Sequence, residues 1–132
     1  MGDNINAESY TREEIPRIEK KVGDAKNAEK NYEEAIHHYK NSIIGLKKLF
    51  DEDTSLASDD KKATDLIDEI GIPVHLNLAF CFLQLEDWKN VVFYANKVLE
   101  LKPGHVKALY RRCKAFLKLE DVNIFILILL VR

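Results

Sequence analysis

The chain repeats itself at a spacing of 34 residues. Phe82-Leu83-Gln84-Leu85-Glu86-Asp87-Trp88 returns as Phe116-Leu117-Lys118-Leu119-Glu120-Asp121-Val122, and five of the seven positions are identical. Asn77 and Ala79 stand in register with Arg111 and Cys113 at the same offset. A unit of this length cannot bury its own apolar face, so such units must stack on their neighbours. Five Gly and three Pro in 132 residues are too few for a turn-rich β sandwich, and the apolar residues do not alternate with period two. The predicted class is all-α.

The repeat divides the chain. One unit spans 72–105 and closes on Lys102-Pro103-Gly104, residues that stop a helix. The next spans 106–132 and is incomplete. An earlier unit, 16–49, carries Gly23 in its first helix and Tyr32, Ala35 and Tyr39 on the inner face of its second. Tyr32 and Trp88 are equivalent positions 56 residues apart, so about 22 residues, 50–71, are inserted between the first two units. The first half of that insert, with Asp51, Glu52, Asp53, Asp59 and Asp60, reads as an acidic solvated loop. Its second half, 63–70, reads as a helix interrupted by Gly71 and Pro73. Helices are expected at 12–29, 31–50, 63–70, 73–86, 88–102 and 105–119. Thr11 and Glu14 form a capping box for the first. A 34-residue helical period is the signature of the tetratricopeptide repeat. It predicts a right-handed superhelix of antiparallel helix pairs with one concave face, covering 11–121.

Composition excludes several functions. Net charge is −2, from 20 Lys+Arg and 22 Asp+Glu, whereas a general nucleic-acid binder is strongly basic. Cys81 and Cys113 are too sparse for a disulfide framework and point to a reducing compartment, the cytoplasm or nucleus. They are expected to pack between helices. Residues 1–10 are polar, read as disordered, and lack the apolar core of a secretory leader. There is no Gly-rich phosphate loop, no His and carboxylate pair at ligand spacing and no nucleophile–base set. Neither catalysis, a cofactor nor a bound metal is therefore expected. His37 and His38 are adjacent and point about 100° apart on a helix, a poor metal pair. Phe82, Trp88, Tyr94 and Phe116 are expected to pack between repeats. The end of the chain, 122–132, is atypical: Ile124 to Val131 are eight consecutive apolar residues. That is too short to span a bilayer, which needs about 20. The run is expected to lie against the last helix, or to mediate self-association through 124–131.

Helices that open each repeat line the concave face, where Lys20, Asn77, Lys107 and Arg111 stand at matching positions. Lys107 and Arg111, at i and i+4, share one helix face. Alone they would be an ordinary solvated pair; their register with Asn77 and Lys20 favours a site. An ammonium, a guanidinium and an amide donor together suit carboxylate recognition.

The residues Lys20-x-x-Gly23, His75-Leu76-Asn77-Leu78-Ala79-Phe80-Cys81 and Val106-Lys107-Ala108-Leu109-Tyr110-Arg111-Arg112 resemble the repeat domain of the large FKBP-type immunophilins. More broadly, they resemble the carboxylate-clamp co-chaperones. The resemblance covers 15–121, and the insert is typical of the immunophilins. It implies a protein-binding adaptor that grips the terminal Glu-Glu-Val-Asp of heat-shock chaperones. Lys20, Asn77 and Lys107 would hold the terminal and side-chain carboxylates, and Arg111 would support the peptide. Two departures stand out. Asp24 occupies a clamp position where the family places Asn or Thr, and its carboxylate can pair with Lys20 at i,i+4. Lys26 and Asn27 occupy the place of an inter-helix aromatic, which predicts a loosely packed first repeat. A different kind of protein segment in the groove is the competing reading. In another, the chain serves an isomerase whose catalytic domain lies elsewhere.

Overall fold

The computed structural model describes residues 10–131, so the expected disorder at 1–10 lies, but for Tyr10, outside the described residues. Six α-helices follow in order: α1 (Glu14–Ala28), α2 (Tyr32–Glu52), α3 (Asp60–Leu66), α4 (Ile72–Gln84), α5 (Trp88–Leu101) and α6 (Val106–Val131). A π turn, Ile67–Gly71, joins α3 to α4. Helix α1 packs against α2, α2 against α4, α4 against α5 and α5 against α6, while α4 also meets α6. This is the all-α stack of antiparallel pairs that the 34-residue period predicts.

Each helix is set by its own apolar spacing. On α2 the buried positions are Ala35 with Ile36, then Tyr39, Ser42, Leu46 and Leu49 at steps of three or four residues on one stripe. Helix α4 is buried on more sides, through Val74, Leu78, Ala79, Cys81, Phe82 and Leu83, because it lies between α2, α5 and α6. Tyr39, Ile70, Val74, Leu78, Cys81 and Val91 form the centre of the core. Among the described side chains of α6 only Ala108 and Ala115 are fully buried; small side chains let it approach α5 closely.

The capping box at the start of α1 is half formed. Glu14 accepts from the Thr11 amide at 2.7 Å, but the Thr11 hydroxyl donates to the same carboxylate at 2.8 Å instead of capping the helix. The Glu14 amide goes to the Thr11 carbonyl at 3.1 Å. Pro16 lies in the first turn, where a missing N–H costs no helical bond.

Gly71 and Pro73 do not interrupt the second half of the insert. Helix α3 begins at Asp60, with Asp59 accepting from the Lys62 amide at 3.0 Å, and the chain stays helical through to Gln84. The π turn makes this possible. The Ile72 amide bonds five residues back to Ile67, so the wider turn relieves the clash of a proline ring with the preceding turn. His75 Nδ1–H donates to the Gly71 carbonyl at 2.6 Å, and burial holds this imidazole below its ordinary value. The run 60–84 is 25 residues long and apolar enough in composition to cross a membrane, yet half of its most apolar window is buried in the fold. It is the central helix.

The third repeat departs most. Its helix does not end near 119 but continues to Val131, and the run 124–131 does not lie against the last helix; it is part of it. Every residue from Ile124 to Val131 is between 48% and 80% exposed. Cys113 and Phe116 are exposed too, contrary to the packing roles expected of them. Their equivalents one repeat earlier, Ala79 and Phe82, are buried. Phe82 stacks on Tyr94 of α5, with ring centroids 5.5 Å apart and planes 5° from parallel. No described element takes the place of α5 beside Phe116.

Helices α1 and α4 end in the same backbone device. Lys30 and Glu86 have φ of 61° and 58°, the left-handed conformation that favours glycine. The Asn31 amide then returns to the Lys26 carbonyl at 2.9 Å and the Asp87 amide to Phe82 at 3.0 Å. Both side chains are exposed, so neither resists replacement. Lys30→Gly and Glu86→Gly are each expected to raise the unfolding free energy by roughly 0.5–1 kcal/mol, measured by urea denaturation with unchanged m.

Candidate functional site

The opening helices α1 and α4 meet at Asp24. Its Oδ2 receives the Lys20 ammonium at 2.8 Å. Its Oδ1 accepts from the Tyr39 hydroxyl at 2.7 Å and from the Asn77 amide at 3.3 Å. Three donors, from α1, α2 and α4, thus converge on one carboxylate. Lys20 and Asn77 are brought together as the repeat register predicts, but around a residue of the chain itself. The Asp24 side chain remains 42% exposed and that of Lys20 25%, so the cluster is partly open to solvent.

Tyr39 is the member that sequence reasoning missed. Its inward position on α2 was legible; its hydroxyl partner was not, because that depends on how closely α1 approaches. The signal available was Gly23. A Cβ there would lie 2.7 Å from Tyr39 Cδ1 and Cε1, so only glycine leaves room for the ring against α1. The ring is wholly enclosed, and burial together with the Asp24 carboxylate pushes the phenol well above its ordinary range.

Arg111 lies on the α6 wall but is not free. Its Nη1 donates to the Leu76 carbonyl at 2.9 Å. Its guanidinium stands over the Phe80 ring, 5.4 Å from the centroid, and Phe80 meets Tyr32 edge-on at 6.1 Å. Burial lowers its pKa from the ordinary value, though a guanidinium stays charged at any physiological pH. Lys107, one turn earlier on the same face, is exposed. Arg112 turns instead to Asn96 of α5, at 3.1 Å.

The first repeat is not loose. Ser42 Oγ–H donates to the Pro16 carbonyl at 2.7 Å, and His38 Nδ1 meets Glu19 at 2.7 Å in the same interface. Lys26 lies 3.3 Å from Glu34 on α2. Asn27 accepts a weak contact from the Cys81 thiol at 3.8 Å, a thiol that burial pushes up to about 12. Polar pairs fill the place of the expected aromatic, and no buried side-chain N or O among the described residues lacks a partner.

Known proteins share the repeat sequence of this chain. The chain is 29% identical over 111 residues to the peptidyl-prolyl cis-trans isomerase FKBP4 of Mus musculus, covering 84% of the chain and 23% of that protein. It is 33% identical over 120 residues to the mitochondrial import receptor subunit TOM70 of Rattus norvegicus, covering 91% of the chain and 16% of the relative. A shorter stretch of 44 residues, 33% of the chain, is 52% identical to the peptidyl-prolyl cis-trans isomerase PASTICCINO1 of Arabidopsis thaliana, 7% of that protein. The chain carries a tetratricopeptide-repeat domain resembling that of the large FKBP-type isomerases. No family model matches it. The repeat domain spans less than a quarter of each of these relatives.

The Gly23–Tyr39 contact ties the groove to the core. Gly23→Ala is expected to destabilise the repeat domain by roughly 1–3 kcal/mol, the cost of overpacking an enclosed ring. It should also displace the Tyr39 hydroxyl from Asp24. Denaturant unfolding measures the first effect, and an ultraviolet titration of the tyrosines, with Tyr39 ionising at lower pH than in the parent, measures the second.

Proposed function

We propose that the repeat domain is a docking module that anchors the acidic C-terminal tail of heat-shock chaperones, of the Glu-Glu-Val-Asp type, in the groove between α1, α4 and α6. The observation that carries this reading is the convergence of Lys20 and Asn77 on a single carboxylate, since donors arranged to hold one carboxylate at 2.8 and 3.3 Å are arranged for that chemistry. The α6 wall adds Lys107, exposed to a ligand, and Arg111, held rigidly by Leu76 and Phe80. Rigid donors lose less entropy on binding. The module is read as non-catalytic, working in the cytoplasm or nucleus, and any isomerase activity of a parent protein would belong to another domain.

Arg111 helps hold α6 to α4, so its removal mixes folding with binding; Lys107 is the cleaner probe. An acidic-ended peptide is expected to bind at least tenfold more tightly than its C-terminally amidated twin in a calorimetric titration. Lys107→Ala should weaken the acidic peptide several-fold without changing the melting temperature. Equal affinity for the two peptides sinks the clamp reading and leaves the groove to some other protein segment.

The exposed end of α6 supports a second, separate contact: association of two copies. Antiparallel pairing of two α6 helices about Leu119 would set Lys118 of each copy opposite Glu120 and Asp121 of the other. The same pairing would lay 124–131 over the exposed Leu109, Tyr110 and Cys113. Light scattering should show a mean mass that rises with concentration, and Ile128→Glu with Leu130→Glu should abolish the rise. A monomer at all concentrations overturns this contact.

A further inference from the structure

The groove cluster raises the question of what Asp24 does to the ligand. We infer that Asp24 is a resident carboxylate that takes one of two carboxylate seats in the groove, so that the native domain reads a tail through a single carboxylate. The inference rests on the docking reading above and specifies its selectivity.

Asp24 Oδ2 engages the Lys20 ammonium, and Oδ1 receives both Tyr39 and Asn77. Lys20 and Asn77 are the α1 and α4 donors of the proposed clamp, and both are committed to Asp24. The Tyr39 hydroxyl donates to the carboxylate, anchored by a ring that is wholly buried beside Gly23. Asp24 is thus held by three elements, not by Lys20 alone, and a ligand must displace a preorganised contact to reach Lys20. A ligand carboxylate brought to the same donors would also sit against Asp24, and like charges partly removed from water repel strongly. The remaining cations on the groove wall, Lys107 and Arg111, lie together on α6 and offer a second seat that Asp24 does not fill. One seat remains for the ligand. A last residue bearing both an α-carboxylate and a side-chain carboxylate therefore gains little over one bearing the α-carboxylate alone.

The test uses the full chain and three peptides of one tail sequence, ending in Asp, in Asn, and in Asn with a C-terminal amide. The unsubstituted domain should bind the Asp- and Asn-ended peptides within about twofold, and the amide at least tenfold more weakly. Asp24→Asn keeps an oxygen acceptor for Tyr39 and removes the charge. It should gain tenfold or more on the Asp-ended peptide, with little change for the other two. Adding Lys20→Gln to Asp24→Asn should remove that gain, since the vacated seat is made by Lys20. A tenfold preference for Asp over Asn in the unsubstituted domain overturns the inference. So does an Asp24→Asn protein, folded by circular dichroism, whose affinities are unchanged, or a gain that survives Lys20→Gln. Equal binding of all three peptides by both proteins is a different outcome, and it overturns the docking reading itself.

Discussion

The contact between Tyr39 and Gly23 is the one on which both halves of this structure depend. The ring packs closely against α1 at Gly23 because no Cβ stands in its way. That closeness draws α1 onto α2, and the neighbouring pairs Ser42 with Pro16 and His38 with Glu19 fall into reach. The same buried ring donates its hydroxyl to Asp24, whose side chain is partly open to solvent. A buried aromatic with a polar tip joins core to surface in this way because its apolar body and its donor have opposite solvation demands.

The groove is an electrostatic arrangement with unequal members. Lys20 and Asn77 are committed to a carboxylate of the chain, and Arg111 is fixed by a carbonyl and an aromatic face. Only Lys107 of the expected four is exposed. A site built mostly of satisfied donors is rigid, which favours selectivity over raw affinity. On the docking reading proposed above, substitutions at these positions would act on folding and binding together, except at Lys107.

Much of the site was legible because repeat register converts distance in sequence into adjacency in space. Asn77 and Arg111 are equivalent positions, and Lys20 lies on the opening helix of the first repeat, so their shared face followed from the 34-residue period. The Lys20–Asp24 pair followed from i,i+4 spacing on a helix. The Tyr39 hydroxyl and the Leu76 carbonyl could not be read this way. Both are partners across helices whose approach depends on side-chain volume, and periodicity carries no information about volume. The π turn was hidden for a related reason: Gly71 and Pro73 disfavour an α-helix locally, but packing of Ile70 and Val74 into the core keeps the chain helical through a wider turn.

The triplet Leu-Glu-Asp separates what sequence determined from what tertiary structure decided. It occurs twice, at 85–87 and at 119–121. At 85–87 it forms the turn between α4 and α5, with Glu86 left-handed and Asp87 capping the next helix through Asn90. At 119–121 it is plain helix. The sequence alone determined the period, the all-α class and the face on which the groove cations stand, because these follow from spacing. Whether the chain turns back was decided by what could cover the helix after the turn. Trp88, Val92 and Tyr94 pack α5 against the core, whereas Asn123 and Ile124 begin a run with no polar face and no cap partner at the position of Asn90. Among the described residues nothing at 122–131 supplies the cap that Asn90 gives α5, so the backbone hydrogen bonds continue and α6 runs on to Val131.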